Sequence, residues 1–151
     1  MVQPGERAPD FSVTDHLGNT WTLADLSGQW AVLWFYPKAD TPGCTAEGCG
    51  FRDMAKEYEA RGARILGVSF DTAEDNAAFA DKFGFQFPLL CDTDRDLGRK
   101  FGAADGDSAF ARRIGVIIDP NGRVAAYHPS VNARTFPAEA LAQIDELQGL
   151  A

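Results

Sequence analysis

The sequence predicts an α/β protein: a central mixed β-sheet flanked by helices on both faces, preceded by an N-terminal β-hairpin. Three observations carry this. The apolar runs Ala31–Tyr36, Arg64–Phe70 and Arg113–Asp119 are bounded by turn residues and read as strands buried on both faces. Segments of helical period stand between the first two. A hairpin-like pair near the C-terminal end gives the sheet antiparallel neighbours as well as parallel ones.

The elements follow in order. Phe11–Asp15 and Thr20–Leu23 flank Leu17-Gly18-Asn19 and read as a short hairpin. Ala31–Tyr36 is the first buried strand, and Pro37–Gly43 is a loop. From Pro42 to about Arg61 the pattern is helical, with Phe51, Met54, Ala55 and Tyr58 on one face. Arg64–Phe70 is the second buried strand. Asp71-Thr72 caps a helix that runs to Phe83, with Gly84 just past its end. Pro88–Cys91 is a short extended piece, and Asp94–Phe101 is a weak helix. Arg113–Asp119 turns through Asp119-Pro120-Asn121-Gly122 into Arg123–His128. A last helix covers Pro137–Leu147, with Ala140, Leu141, Ile144 and Leu147 on one stripe.

The chain has 151 residues, 45% apolar and 24% charged, which fits one globular domain over 1–151. Lys and Arg number 14 against 22 Asp and Glu, a net charge of −8. With no run of cations, neither nucleic acid nor an anionic membrane surface is expected as a partner. The N-terminus has no charged stretch followed by an apolar one, and no apolar run nears the ~20 residues that span a bilayer. The expectation is a cytoplasmic protein. Three cysteines, Cys44, Cys49 and Cys91, are too few and too odd for the disulfide framework of a small secreted domain.

The loop before Cys44 is the sharpest local feature. Thr41-Pro42 fits an N-cap followed by the first helical position, with the hydroxyl expected to cap a free amide. Cys44 then falls in the first helical turn, where free N–H groups and the helix dipole favour a thiolate. The expectation is a partly exposed, reactive Cys44; the plain alternative is a small buried cysteine. Cys49 follows five residues later. On an unbroken helix the two Cα atoms stand about 8.7 Å apart, beyond the reach of about 7 Å for a disulfide. The pair can bond only if the helix start unwinds. Gly43, Gly48 and Gly50 weaken the helix there, although they equally suit close packing. Arg113 at the start of a neighbouring strand could supply a cation to Cys44, or be a surface arginine. A zinc site wants four close ligands, and Cys91, His16 and His128 are scattered. Cys-x-x-Cys is absent. His16, His128, Lys38 and Asp40 read as surface residues, and Trp34 as core.

The run Phe35-Tyr36-Pro37-Lys38-Ala39-Asp40-Thr41-Pro42-Gly43-Cys44-Thr45 resembles the peroxidatic motif of the peroxiredoxins. Cys49 with Phe51-Arg52-Asp53 resembles the peroxiredoxin Q, or bacterioferritin comigratory protein, subgroup. Gly5–Phe11, Phe87–Asp92 and Arg113–Asp119 extend the likeness over nearly the whole chain. The resemblance implies a thioredoxin-like fold and a thiol peroxidase. It implies Cys44 as peroxidatic cysteine, Thr41 as the hydroxyl beside its sulfur, Pro37 as its shield from water, Arg113 as its cation and Cys49 as resolving cysteine. It further implies a peroxide substrate, a thioredoxin or similar dithiol as reductant, a monomer, and no metal, haem or flavin cofactor. Cys91 departs from the usual pattern and reads as a buried bystander, with a second resolving thiol as the alternative. The competing functional reading is a non-catalytic redox sensor that uses the same disulfide as a switch.

Overall fold

The computed structural model describes residues 2–105 and 108–149. Its first paired strands are β1 (Ser12–Thr14) and β2 (Thr20–Thr22), antiparallel, as the hairpin reading requires. The Asp15 carboxylate closes the hairpin by accepting from the amides of Leu17 and Asn19 and from Trp21 Nε1. A 3-10 turn over Leu23–Leu26, which sequence reading leaves out, buries both of its leucines.

The main sheet has five strands: β3 (Trp30–Phe35), β4 (Ala63–Ser69), β5 (Leu89–Cys91), β6 (Gly115–Ile118) and β7 (Val124–His128). Their order is β5-β4-β3-β6-β7, so the mostly apolar run of β3 holds the centre. β3 pairs parallel with β4 and antiparallel with β6, and β7 closes the far edge antiparallel to β6. The mixed sheet predicted from sequence is therefore present. Two differences are of register. The third run begins as a strand at Gly115, leaving Arg113 in the segment that leads into β6. Strand pairing in β3 starts at Trp30 and ends at Phe35, so Tyr36 stands at the exit to the loop.

Alternation along β3 divides the core. Ala31, Leu33 and Phe35 face one side, with Leu66, Val116, the hairpin residues Phe11 and Val13, and Phe101 of α4 (Asp96–Phe101). Val32 and Trp34 face the other, where the remaining helices pack: α1 (Pro42–Asp53), α2 (Ala55–Ala60), α3 (Ala73–Phe83) and α5 (Phe136–Leu147). Trp34 is fully buried and stacks on Tyr36 and Phe51. It fits because Gly67 opposes it: a Cβ there would meet the indole at 3.0 Å.

The long helix predicted from Pro42 to Arg61 is two helices. Met54 breaks it with ψ near 7°, its N–H shared between Gly50 O and Phe51 O. The apolar period keeps its phase across the break, so periodicity carries no sign of it. The cap of α3 is as predicted: Thr72 Oγ1 accepts from Asp75 N at 3.2 Å, and Gly84 ends the helix at φ 70°, a conformation glycine adopts without strain. No helix among the described residues is long and apolar enough to cross a membrane.

Candidate active site

The topology explains where the chemistry gathers. β3 runs out through Tyr36 into the loop Pro37–Thr41, and α1 begins immediately. β6 lies antiparallel beside β3, with Trp34 opposite Gly115. The residues just before β6 therefore sit beside the residues just after β3. That is how Arg113, distant in sequence, comes to Cys44.

The loop is fixed at several points. Ala39 N donates to Asp71 Oδ2 at 2.8 Å, and Asp40, at φ 61°, pairs its carboxylate with Lys82 at 3.0 Å. Lys38 and Asp40 are exposed, as expected, although Asp40 is ion-paired. Pro37 is half-buried at the head of the loop. Thr41 occupies the N-cap with extended backbone, and its carbonyl accepts from Thr45 N at 2.8 Å. The hydroxyl does not cap, which corrects the sequence expectation. It donates instead to Lys38 O at 2.7 Å, because the turn at Asp40 folds that carbonyl back under it. Its oxygen lone pairs remain available to accept.

Cys44 lies in the first turn of α1 and is wholly buried, not partly exposed as the sequence reading expected. Arg113 Nη2 faces its Sγ at 3.6 Å, and Arg113 Nη1 donates to Glu47 Oε1 at 2.8 Å. The guanidinium is thus a bridge between a sulfur and a carboxyl. Gly43 makes room for it: a Cβ at that position would stand 2.8 Å from Nη2. Gly48 and Gly50 likewise admit Phe85 and Pro137, whose atoms would lie 2.4 and 2.8 Å from an added Cβ. The close-packing reading of these glycines is the one the fold realises.

Glu47 escaped the sequence reading. It is fully buried, and its Oε2 has no hydrogen-bond partner among the described residues. Burial pushes its carboxyl up to about 8, against the lowering effect of Arg113. The available signal was the spacing: a residue three after Cys44 on a helix shares its face.

Cys49 is half-buried on the same unbroken helix, and all three cysteines are unpaired. The structure keeps Cys44 and Cys49 on one intact α1, so it does not bring them together. Cys91 ends β5, paired in register with Ser69. It is half-buried, not buried as expected, and its Sγ accepts from Asn76 Nδ2 at 3.4 Å. Asn76 in turn accepts from Tyr36 OH at 2.7 Å. Burial pushes the Cys91 thiol up, and the carboxylates of Asp15 and Asp71 add to it. His16 and His128 are half-buried rather than on the surface: His16 Nδ1 accepts from Leu89 N, and His128 Nε2 meets Gln143 Oε1 at 2.7 Å. An open groove of about 720 Å³ includes Arg52, Lys56, Glu59 and Gln86 in its lining but not Cys44, Thr41 or Arg113. The contacts of Cys44 and this groove are separate features of the surface and core.

Residues 4–127 match the AhpC/TSA family. The chain is 38% identical over 130 residues to peroxiredoxin Bcp of Escherichia coli strain K12, covering 82% of this chain and 83% of that one. Among solved structures it resembles peroxidoxin BcpB from Mycobacterium tuberculosis, with TM-score 0.90 and 32% identity, covering 97% of this chain and 99% of that one. It also resembles the Xanthomonas campestris bacterioferritin comigratory protein, with TM-score 0.89 and 30% identity over 96% of this chain and 99% of that one. That structure was described for insights into alkyl peroxide reduction activity from trapped intermediate and ligand complexes.

Proposed function

The chain belongs to the AhpC/TSA family, with Bcp and peroxiredoxin Q proteins as its relatives, and from that premise we propose that it is a thiol peroxidase in which Cys44 reduces hydrogen peroxide and organic hydroperoxides. The observation that carries the proposal is the Arg113 guanidinium, 3.6 Å from Cys44 Sγ at the N-terminal end of α1.

The chemistry follows from the contacts. The Cys44 thiolate attacks the terminal peroxide oxygen, the O–O bond breaks, and the electron pair leaves on the second oxygen. Arg113 and the free amides of the first helical turn stabilise that departing charge. The peroxide O–H donates to Thr41 Oγ1, whose own hydrogen is already committed to Lys38 O. Pro37 presents a ring without an N–H donor at the head of the loop and helps keep water from the sulfur. The leaving oxygen takes a proton and departs as water or alcohol. The alkyl peroxide reduction described for the Xanthomonas relative supports the organic branch of the substrate range.

Cys44 is then a sulfenic acid, which condenses with the Cys49 thiol to a disulfide and water. α1 runs unbroken from Pro42 to Asp53, so this step includes unwinding of its first turns. A thioredoxin-like dithiol restores the pair by exchange. The whole chain serves as a single-domain monomer in this reading. Among the described residues, the exposed large apolar side chains Leu17, Phe110 and Leu147 stand in separate segments, which suits a chain without an obligate partner.

The test is rapid-quench intact mass with peptide mapping after one equivalent of hydrogen peroxide. Wild type should lose two hydrogens and yield a Cys44–Cys49 cross-link. Cys49→Ser should stop with one added oxygen on Cys44, and Cys44→Ser should not react promptly. Slow oxidation scattered over the three cysteines, or a cross-link through Cys91 alone, would overturn the assignment.

A further inference from the structure

Glu47 lies three residues after Cys44 and two before Cys49, inside the stretch of α1 that must unwind if the cysteines are to meet. Its side chain is fully buried. Oε1 accepts from Arg113 at 2.8 Å, while Oε2 has no partner among the described residues. Arg113 is a single charge with two claimants, since its other terminal nitrogen faces Cys44. A thiolate at Cys44 and a carboxylate at Glu47 would place two negative charges on one guanidinium, with one carboxylate oxygen left dry. A buried ionised oxygen without a donor costs far more than a neutral hydroxyl left without an acceptor, so the protonated carboxyl is the favoured form.

We propose that Glu47 is a proton-held latch on α1: the wound helix keeps its carboxyl protonated beside Arg113, and the unwinding that joins Cys44 to Cys49 delivers it to solvent as a carboxylate. Formation of the disulfide then expels one proton beyond any that the two cysteines release. The inference rests on the two-cysteine reading above.

Electrostatics points the same way. Burial raises the Glu47 carboxyl from an ordinary 4.5 to about 8, and Arg113, from the segment before β6, is the charged group that opposes it. Cys44, on α1 itself, is the titratable group on the other side of that guanidinium. Below pH 4.5 the wound and unwound states both carry the proton, and above about 8 neither does. Between these limits the wound state holds a proton that the unwound state has lost. Each pH unit then favours unwinding by about tenfold.

The test is the thiol–disulfide equilibrium of the whole protein against dithiothreitol, followed across that pH window in wild type and in Glu47→Gln. In the exchange, Cys44 and Cys49 give two electrons to oxidised dithiothreitol with the protons their sulfurs carry; one S–S bond forms in the protein and one breaks in the reagent. Glu47 releases its proton in addition, and the reagent's two sulfurs draw any remaining proton from the buffer. The wild-type constant should rise about tenfold per pH unit more steeply than that of Glu47→Gln, about 30 mV per unit for this two-electron couple. Gln keeps an acceptor for Arg113 but holds no titrating proton, so a merely structural role would leave the two curves parallel. Parallel curves overturn the latch. An infrared difference spectrum of wild type, reduced minus oxidised, gives a second readout that does not depend on the variant folding. A protonated-carboxyl band should vanish on oxidation, and its absence from the reduced protein overturns the proposal. If peptide mapping finds no Cys44–Cys49 bond at all, the two-cysteine reading falls and the latch falls with it. If the bond forms and the curves run parallel, only the latch falls.

Discussion

Cys44 and Cys91 are the same side chain in two surroundings. Cys44 sits at the start of a helix, wholly buried, with a guanidinium 3.6 Å from its sulfur. Cys91 sits at the end of an edge strand, half-buried, with a neutral amide at 3.4 Å and carboxylates in the neighbourhood. Accessibility alone would rank Cys91 as the more reactive. Charge ranks them the other way, because the thiolate is the nucleophile and only Cys44 has a cation to hold one. Cys91 closes a main-sheet strand and Cys44 opens the helix that follows another; what differs is which segment the topology brings alongside.

The largest expected effect separates the two cysteines outright. Cys44→Ser should bring peroxide reduction down to the uncatalysed background, while Cys91→Ser should leave the rate constant unchanged, both measured by stopped flow. Serine at 91 can keep the bond to Asn76, so stability should fall by no more than about 1.5 kcal/mol in a urea melt. Next comes Arg113→Gln, which removes the charge that distinguishes Cys44. The second-order rate constant should drop by about 10²- to 10³-fold, and the advantage of Cys44 over Cys91 should shrink by the same factor. Gly43→Ala is subtler, since its Cβ would stand 2.8 Å from Arg113 Nη2. Displacing the guanidinium should lower the rate constant by up to about 10²-fold, while helix propensity gains about 1 kcal/mol. Activity and stability should therefore move in opposite directions, which stopped flow and a denaturant melt on one sample would show. The smallest effect is on Cys91 itself. Its thiol lies above the ordinary 9.0, so its alkylation by iodoacetamide should rise about tenfold per pH unit up to pH 9 without a plateau.

The parts of this site that could be read from the sequence are the local ones. The apolar run of β3, the Thr41-Pro42 helix start and Cys44 in the first turn all depend on residues within a few positions of each other. Arg113 was a candidate whose contact depends on β6 lying antiparallel beside β3, a pairing no local pattern encodes. Glu47 was visible as a residue three after Cys44, yet its meaning depends on its burial and on Arg113. The glycines of α1 show the same limit. As sequence they weaken a helix; in the fold each admits a distant group, Arg113, Phe85 or Pro137. Threonine's preference for the N-cap position assigns the Thr41 hydroxyl to a cap. The hydroxyl turns to Lys38 O because Asp40 adopts a left-handed backbone that propensity does not foresee. The break at Met54 leaves the apolar period in phase, so it had no signature to read.

In the proposed peroxidase, surroundings, and Arg113 above all, make Cys44 the reacting thiol. The most direct measurement is trapping of the sulfenic acid by dimedone in Cys49→Ser, after one equivalent of peroxide, with the label located by peptide mapping. It should be run beside the same protein carrying Arg113→Gln. Label should fall on Cys44 and essentially none on Cys91 while Arg113 is present, with labelling of Cys44 slowed by about 10²-fold or more once it is gone. Equal labelling of Cys44 and Cys91, or labelling of Cys44 indifferent to Arg113, would contradict that assignment.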